Sequence, residues 1–168
     1  MMLLYHGSNT DIKEINLAMC RPYKDFGQGF YLTSIKKQAE KMAESVARIY
    51  GGSPILNTYE IDDSFMQRED LNIRDFGVET SEEWARFVRN NRNKRFADFA
   101  NPECNLDKKY DIVIGPIADD DMTLLFRQYE NGMITFENML RGMIYKETTN
   151  QYSFHTEKAV SLLRKAGV

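Results

Sequence analysis

Two short runs near the N-terminus hold the residue types most able to do chemistry: Tyr5-His6-Gly7-Ser8 and Asp25-Phe26-Gly27-Gln28-Gly29-Phe30-Tyr31-Leu32-Thr33. A histidine ending a short apolar stretch beside Gly-Ser can present a ring nitrogen into a cleft, and a glycine there lets another molecule approach the backbone. A tyrosine leaving a Gly-x-Gly loop can lay its ring face against a flat heteroaromatic group. Far along the chain, Gln151 adds a polar partner at the head of Gln151-Tyr152-Ser153-Phe154-His155. Alone, either run reads as an ordinary strand-end histidine and a core tyrosine. Their order and combination point to a pocket for a planar ligand.

Other chemistries fit less well. Asp25-Phe26-Gly27 has the form of a kinase metal-binding tripeptide, but the chain lacks an upstream glycine-rich loop and a catalytic-loop signature and is too short for two lobes. No G-x-S-x-G elbow supports a serine hydrolase, and His155, among aromatics on an expected strand, reads as buried or paired. Asp119-Asp120-Asp121 could offer oxygen ligands to a hard cation, yet acidic residues also suit the first turn of the helix expected next. Two histidines and two separated cysteines argue against structural zinc, so no metal is expected.

The 168 residues suit one core and one domain spanning 1–168. The net charge of −3 argues weakly against bulk nucleic-acid binding, although Arg86, Arg89, Arg92, Lys94 and Arg95 form a basic stretch that reads as a solvated face or an anion site. Cys20 and Cys104, without CxxC spacing, suit a reducing, cytoplasmic interior. No window approaches the ~20 apolar residues of a membrane span, and the N-terminal apolar run falls short of a signal segment.

Several elements must position the candidate residues. Leu3–His6 reads as a strand ending at a Gly7-Ser8-Asn9 turn, and Phe30–Thr33 as a second brief strand. Ser34 is expected to cap a helix running from Ile35 to Gly51-Gly52, with Ala39, Met42, Ala43, Val46, Ala47 and Ile49 at helical spacing. Pro54–Ile61 reads as a strand; 62–74 gives no firm signal. Ser81 opens a helix to about Phe99. The apolar run Tyr110–Ile117 predicts a central strand covered on both faces. Helices follow over Met122–Tyr129 and from Thr135 to Tyr145, then a strand over 151–155 and a last helix from Thr156-Glu157 to Gly167. The pattern is α+β, with no repeat or linker.

On Tyr5–Ser8, Gly27–Thr33 and Asn150–Phe154, the sequence resembles the ADP-ribosyltransferase superfamily, in its His-Tyr-Glu branch that includes poly(ADP-ribose) polymerase catalytic domains. The Asp25–Thr33 and Tyr110–Met122 blocks also resemble a small bacterial group within it. The resemblance implies a split mixed β-sheet core with flanking helices and NAD+ as substrate. By it, His6 would bond a hydroxyl of the nicotinamide-side ribose, and the Gly7 backbone would pair with the carboxamide. Ser8 would face the adenosine ribose, Tyr31 would stack on nicotinamide, and Gly29 would help line the pocket. Met42 would stand where the family carries a further aromatic, with core packing as the alternative reading. Gln151 would occupy the third-motif glutamate position.

Glycosidic cleavage of NAD+ develops oxocarbenium character on the ribose, and preorganised hydrogen bonds can carry most of the catalysis. Gln151 is neutral and no general base, which disfavours chain elongation; Glu147 and Glu157 are nearby carboxylates that could compensate. The resemblance therefore implies a mono-ADP-ribosyltransferase acting on a macromolecular acceptor, with protein the default acceptor. By analogy with small bacterial members it would be a toxin held by an antitoxin protein. A catalytically weak or inactive NAD- or ADP-ribose-binding regulator is the alternative. NAD-dependent removal of an RNA phosphate fits poorly with two histidines, and an interaction domain without a pocket is the plainest reading.

Overall fold

The structure is a computed structural model that describes residues 1–118, 120–143 and 148–167. Two sheets divide the strands. The first has the order β1 (Met2–Ser8), β3 (Ile55–Ile61), β7 (Arg164–Lys165), all antiparallel. The second is mixed, with the order β2 (Phe30–Leu32), β6 (Gln151–Phe154), β5 (Ile112–Gly115), β4 (Ile73–Asp75), and only the β4–β5 pair is parallel. An isolated antiparallel bridge, Tyr5–Thr33, joins the two.

Alternation along these strands sets up two apolar layers. Leu4, Tyr59 and Ile61 from the first sheet pack with Phe30, Leu32, Ile112, Ile114 and Phe154 from the second. The opposite face of the second sheet sends Val113 into a layer with Phe26, Trp84, Phe87, Val88 and Phe126. That layer is covered by α2 (Glu82–Arg92), α3 (Asp120–Glu130) and α4 (Phe136–Gly142). β5 is buried along its whole length, between β4 and β6, as its continuous apolar run predicts.

Helix α1 (Lys36–Tyr50) lies on the outer face of β1. A Cβ on Gly7 would stand 2.1 Å from the Ala39 carbonyl oxygen and 2.6 Å from the Ala43 nitrogen. The glycine and the two alanines therefore let strand and helix meet backbone to backbone.

Several sequence expectations shift. Gly7 and Ser8 continue β1, paired with Leu56 and Ile55, so the turn comes later than the glycine suggests. α1 begins without a side-chain cap at Ile35; the Thr33 hydroxyl accepts the Ile35 N–H, while Ser34 Oγ is bonded by Asn150. α2 stops at Arg92 because Asn93 turns its side chain back to accept the Arg95 N–H, a local bond that competes with helix. The last helix, α5 (Glu157–Val160), is a single turn capped by Thr156, and the chain then adds β7 to the first sheet. The unassigned 62–74 segment supplies a 3-10 turn over Asp63–Gln67 and β4. Asp119, Tyr145 and Glu147 lie outside the described residues.

Candidate functional site

The two sheets part where β1 and β2 stop pairing. Tyr5 and Thr33 exchange both backbone bonds, at 2.8 and 2.9 Å. One step on in that register Gly7 would face Tyr31, but the Tyr31 carbonyl instead accepts from His6 Nδ1 at 2.7 Å. By strand alternation, Gly7 presents its N–H and C=O to the same edge as Tyr5, and hence into the gap. A carbonyl can only accept, so Nδ1 carries the proton and the neutral ring leaves Nε2 as an acceptor. Burial lowers the His6 pKa, keeping the ring neutral near pH 7, and the ring stacks on Phe30 at 4.4 Å. The polar groups at this split are the N–H and C=O of Gly7, itself a buried residue, and the imidazole acceptor of His6.

Tyr31 and Gln151 lie together but on the other face of the second sheet. Tyr31 pairs with Ser153, two residues from Gln151, and so shares its face. The Tyr31 hydroxyl donates to the Gly27 carbonyl at 2.6 Å and accepts from the Phe26 N–H at 2.9 Å, and burial holds its pKa well above the usual value. Lys24, an exposed residue, holds its ammonium 5.1 Å over the Tyr31 ring. His6 meets β2 through the Tyr31 backbone rather than the Tyr31 ring, from the side that carries Phe30.

The Gln151 amide donates to Asp25 Oδ2 at 2.9 Å and to the Pro116 carbonyl at 3.1 Å. Both partners accept, which fixes the amide nitrogen and leaves only Oε1 for a ligand hydroxyl. Asp25 is the hub that sequence reasoning passed over. Its Oδ2 also accepts the Ala118 N–H at 2.9 Å, its carbonyl accepts from Asn91 at 3.1 Å, and Arg92 Nη1 stands 3.4 Å from Oδ1. That guanidinium atom is buried and makes no hydrogen bond among the described residues, so the contact is charge against charge. Burial raises the Asp25 pKa, and Arg92 offsets part of the rise. The sequence signal for this hub was the aspartate heading the glycine loop.

Behind Tyr31 runs a second network. His155 Nδ1 donates to the Gln28 carbonyl at 2.8 Å, so the neutral ring accepts at Nε2 from Ser153 Oγ at 2.6 Å. A serine hydroxyl on an oriented imidazole is the start of a nucleophilic arrangement, but both residues are fully buried and no substrate can reach them. Burial lowers the His155 pKa to about 4. A Cβ on Gly29 would meet His155 Nδ1 at 2.6 Å and the Phe154 carbonyl at 2.8 Å, so packing against this ring already requires that glycine.

The remaining candidates divide. Met42 is 54% exposed on α1, which corrects the core-packing alternative for it. Ser8 Oγ accepts the Thr10 N–H, within the turn that follows β1. Asn150, at the mouth of β6, bonds Thr33, Ser34 and Gln38, and so ties the β2–α1 corner to the Gln151 strand. Arg86 is paired with Glu82 and Glu103, Arg89 lies over Tyr129 and Arg92 faces Asp25, so the basic stretch divides into separate roles. Cys20 and Cys104 are free, Cys104 fully buried. Among the described residues no group of three or more His, Cys, Asp or Glu could hold a metal ion, and no helix is long and apolar enough to cross a membrane. Two cavities, of about 240 and 180 Å³, lie elsewhere; neither is lined by His6, Tyr31 or Gln151.

The chain belongs to the family described as Protein of unknown function (DUF3990), whose model matches residues 2–164. No curated protein and no solved structure matches it.

Proposed function

We propose that the protein is a mono-ADP-ribosyltransferase that cleaves NAD+ at the nicotinamide–ribose bond and transfers ADP-ribose to a macromolecule. The observation that carries this reading is the strand split at Gly7 and Tyr31, where His6 takes the carbonyl that the missing ladder bond would have used. A carboxamide needs one donor and one acceptor side by side, which the Gly7 backbone offers at that edge. A ribose hydroxyl needs an acceptor, which His6 Nε2 supplies in its neutral tautomer. Lys24 over the Tyr31 ring marks a face that attracts positive charge; the cationic nicotinamide ring would take the ammonium's place. These groups bind and orient NAD+, and the gap keeps the ribose carbon facing an acceptor as the bond breaks. The resemblance adds the toxin role and an antitoxin partner to this reading.

One observation favours the second reading, an NAD- or ADP-ribose-binding regulator. Gln151 stands where the resemblance puts a catalytic glutamate, and its amide is turned inward onto Asp25. With no carboxylate at that position to stabilise the oxocarbenium ion, transfer is slow or absent.

Nicotinamide release from NAD+ by purified protein separates the two. It is measured with and without cell lysate as acceptor source, beside His6→Ala. Release that needs lysate and falls at least tenfold in His6→Ala supports the transferase. A thermal shift with NAD+ but no release transfers the conclusion to the regulator, and neither response overturns both.

A further inference from the structure

A cavity of about 180 Å³ opens between the Pro22–Tyr23 segment, the chain just after α2 and the turn at 105–108. Tyr23, Lys94, Phe96, Phe99 and Lys108 line it, with no carboxylate. Three independent features set it apart from ordinary surface. First, Tyr23 and Lys108, each at φ 58°, are the only non-glycine residues among those described in the left-handed region, and both are here. Such backbone is unfavourable for a residue with a Cβ, and it concentrates at sites where geometry serves a ligand. Second, Tyr23 and Phe99 are 39% and 51% exposed, so flat apolar faces stand open to solvent at the mouth.

Third, the charge is uncompensated in an otherwise acidic chain. Lys94 and Lys108 form no ion pair among the described residues, and Lys94 holds its ammonium 5.8 Å over the Tyr23 ring. Lys109, next in sequence, does the opposite. Its ammonium donates to the carbonyls of Phe99, Asn101 and Cys104 and pairs with Asp107, fastening the loop that carries Phe99. Asn105 clamps both backbone groups of Tyr110 and donates its own N–H to Asn91, so the far wall is held to α2. The site is rigid at the back and basic and aromatic at the front.

We propose that this cavity binds a nucleoside phosphate unit of a single-stranded nucleic acid, with a base stacked on Tyr23 and Phe99 and its phosphates met by Lys94 and Lys108. An acidic peptide would satisfy the lysines and leave the ring faces uncovered. A duplex would hide the base faces that the rings require. The proposal stands apart from NAD+ chemistry.

The test is fluorescence anisotropy of labelled octathymidylate and octauridylate at 50 mM salt. Binding is expected to weaken at least tenfold in Lys94→Glu/Lys108→Glu and about fivefold in Phe99→Ala. It should be unchanged in Lys36→Glu/Lys37→Glu on α1. Two phosphate contacts give a log–log salt slope of about −1.4. Lys108→Gly should melt at a higher temperature while binding less tightly, which separates lost binding from lost folding. His6→Ala should bind the octamer as the wild type does; a loss there would assign binding to the sheet split and overturn the proposal. So would no binding at low salt, affinity insensitive to the lysine reversals, displacement by polyglutamate at equal charge, or equal affinity for AMP and the octamer.

Discussion

Lowering the pH should destabilise the fold through His155, by an amount the structure sets. His155 is fully buried, and burial lowers its pKa from the ordinary 6.5 to about 4, with its ring held neutral between the Gln28 carbonyl and Ser153 Oγ. Below pH 6.5 the unfolded chain takes up a proton that the folded chain refuses, so the unfolded state binds more protons and stability falls as pH falls. The loss is about 1 kcal/mol near pH 5.5 and grows to about 3 kcal/mol toward pH 4, where it levels off. That is a large share of the roughly 5–15 kcal/mol that holds a domain folded. Burial lowers the His6 pKa too, which adds a loss of the same sign. Asp25, raised by burial, works in the opposite sense, its contribution weakening as pH rises. Comparing wild type with His155→Gln cancels both. The assay is urea unfolding followed by the fluorescence of Trp84, the only tryptophan and fully buried, from pH 7.5 to 4.5. The variant should be less stable at pH 7.5, and the gap should narrow by roughly 2–3 kcal/mol by pH 4.5. A gap that stays constant with pH would refute the neutral buried imidazole.

Three further outcomes follow from the same geometry. Gly7→Ala puts a methyl 2.1 Å from the Ala39 carbonyl oxygen, in helix backbone that cannot step aside alone; urea unfolding should show a loss of about 3 kcal/mol. Asp25→Ala should cost about 3–5 kcal/mol by leaving Arg92 without its counter-charge and two buried donors without acceptors, and Asp25→Asn, which keeps an acceptor oxygen, should cost clearly less by the same measurement. Gln151→Glu, which places a glutamate where the resemblance to ADP-ribosyltransferases expects one, should lower Tm and leave nicotinamide release at neutral pH no higher, because the new carboxylate would face Asp25 across the 2.9 Å now spanned by a hydrogen bond.

Much of the fold was legible because local signals agreed with tertiary ones. Ser81, Thr135 and Thr156 each accept the N–H three residues on, as cap residues should. The apolar run Tyr110–Ile117 holds the buried central strand, over Ile112–Gly115. The failures share a physical cause: long-range partners outvoted a local cue. Gly7 reads as a turn, yet β3 pairs with it and α1 presses on it, so its lack of a side chain serves helix packing. Arg164-Lys165 reads as helix, but the edge of β3 takes it as a strand. Of the candidate site, the residue types were visible and their facing was not. Nothing in the spacing says that His6 reaches the Tyr31 carbonyl while the Tyr31 ring turns toward Gly27. Asp25 was visible only as part of a motif, because its partners Asn91, Arg92, Ala118 and Gln151 come from three distant segments.

Asp25 and Gln151 are best understood as one choice rather than two residues. A buried carboxylate that already accepts from Ala118 needs a further donor more than it needs a second carboxylate. An amide at 151 supplies that donor, and by bonding the Pro116 carbonyl as well it fastens the head of β6 to the end of β5. The loop that heads the tyrosine block is thereby anchored at Asp25, while Gly27 and Gly29 let it lie against Asn105 and His155. On this reasoning position 151 could carry a glutamate only if position 25 lost its charge at the same time. The double change Asp25→Asn with Gln151→Glu should therefore be more stable than Gln151→Glu alone, since one carboxylate and one amide again share the bond. If the double variant is instead as unstable as the sum of its parts, the two positions are independent and the anchoring argument fails.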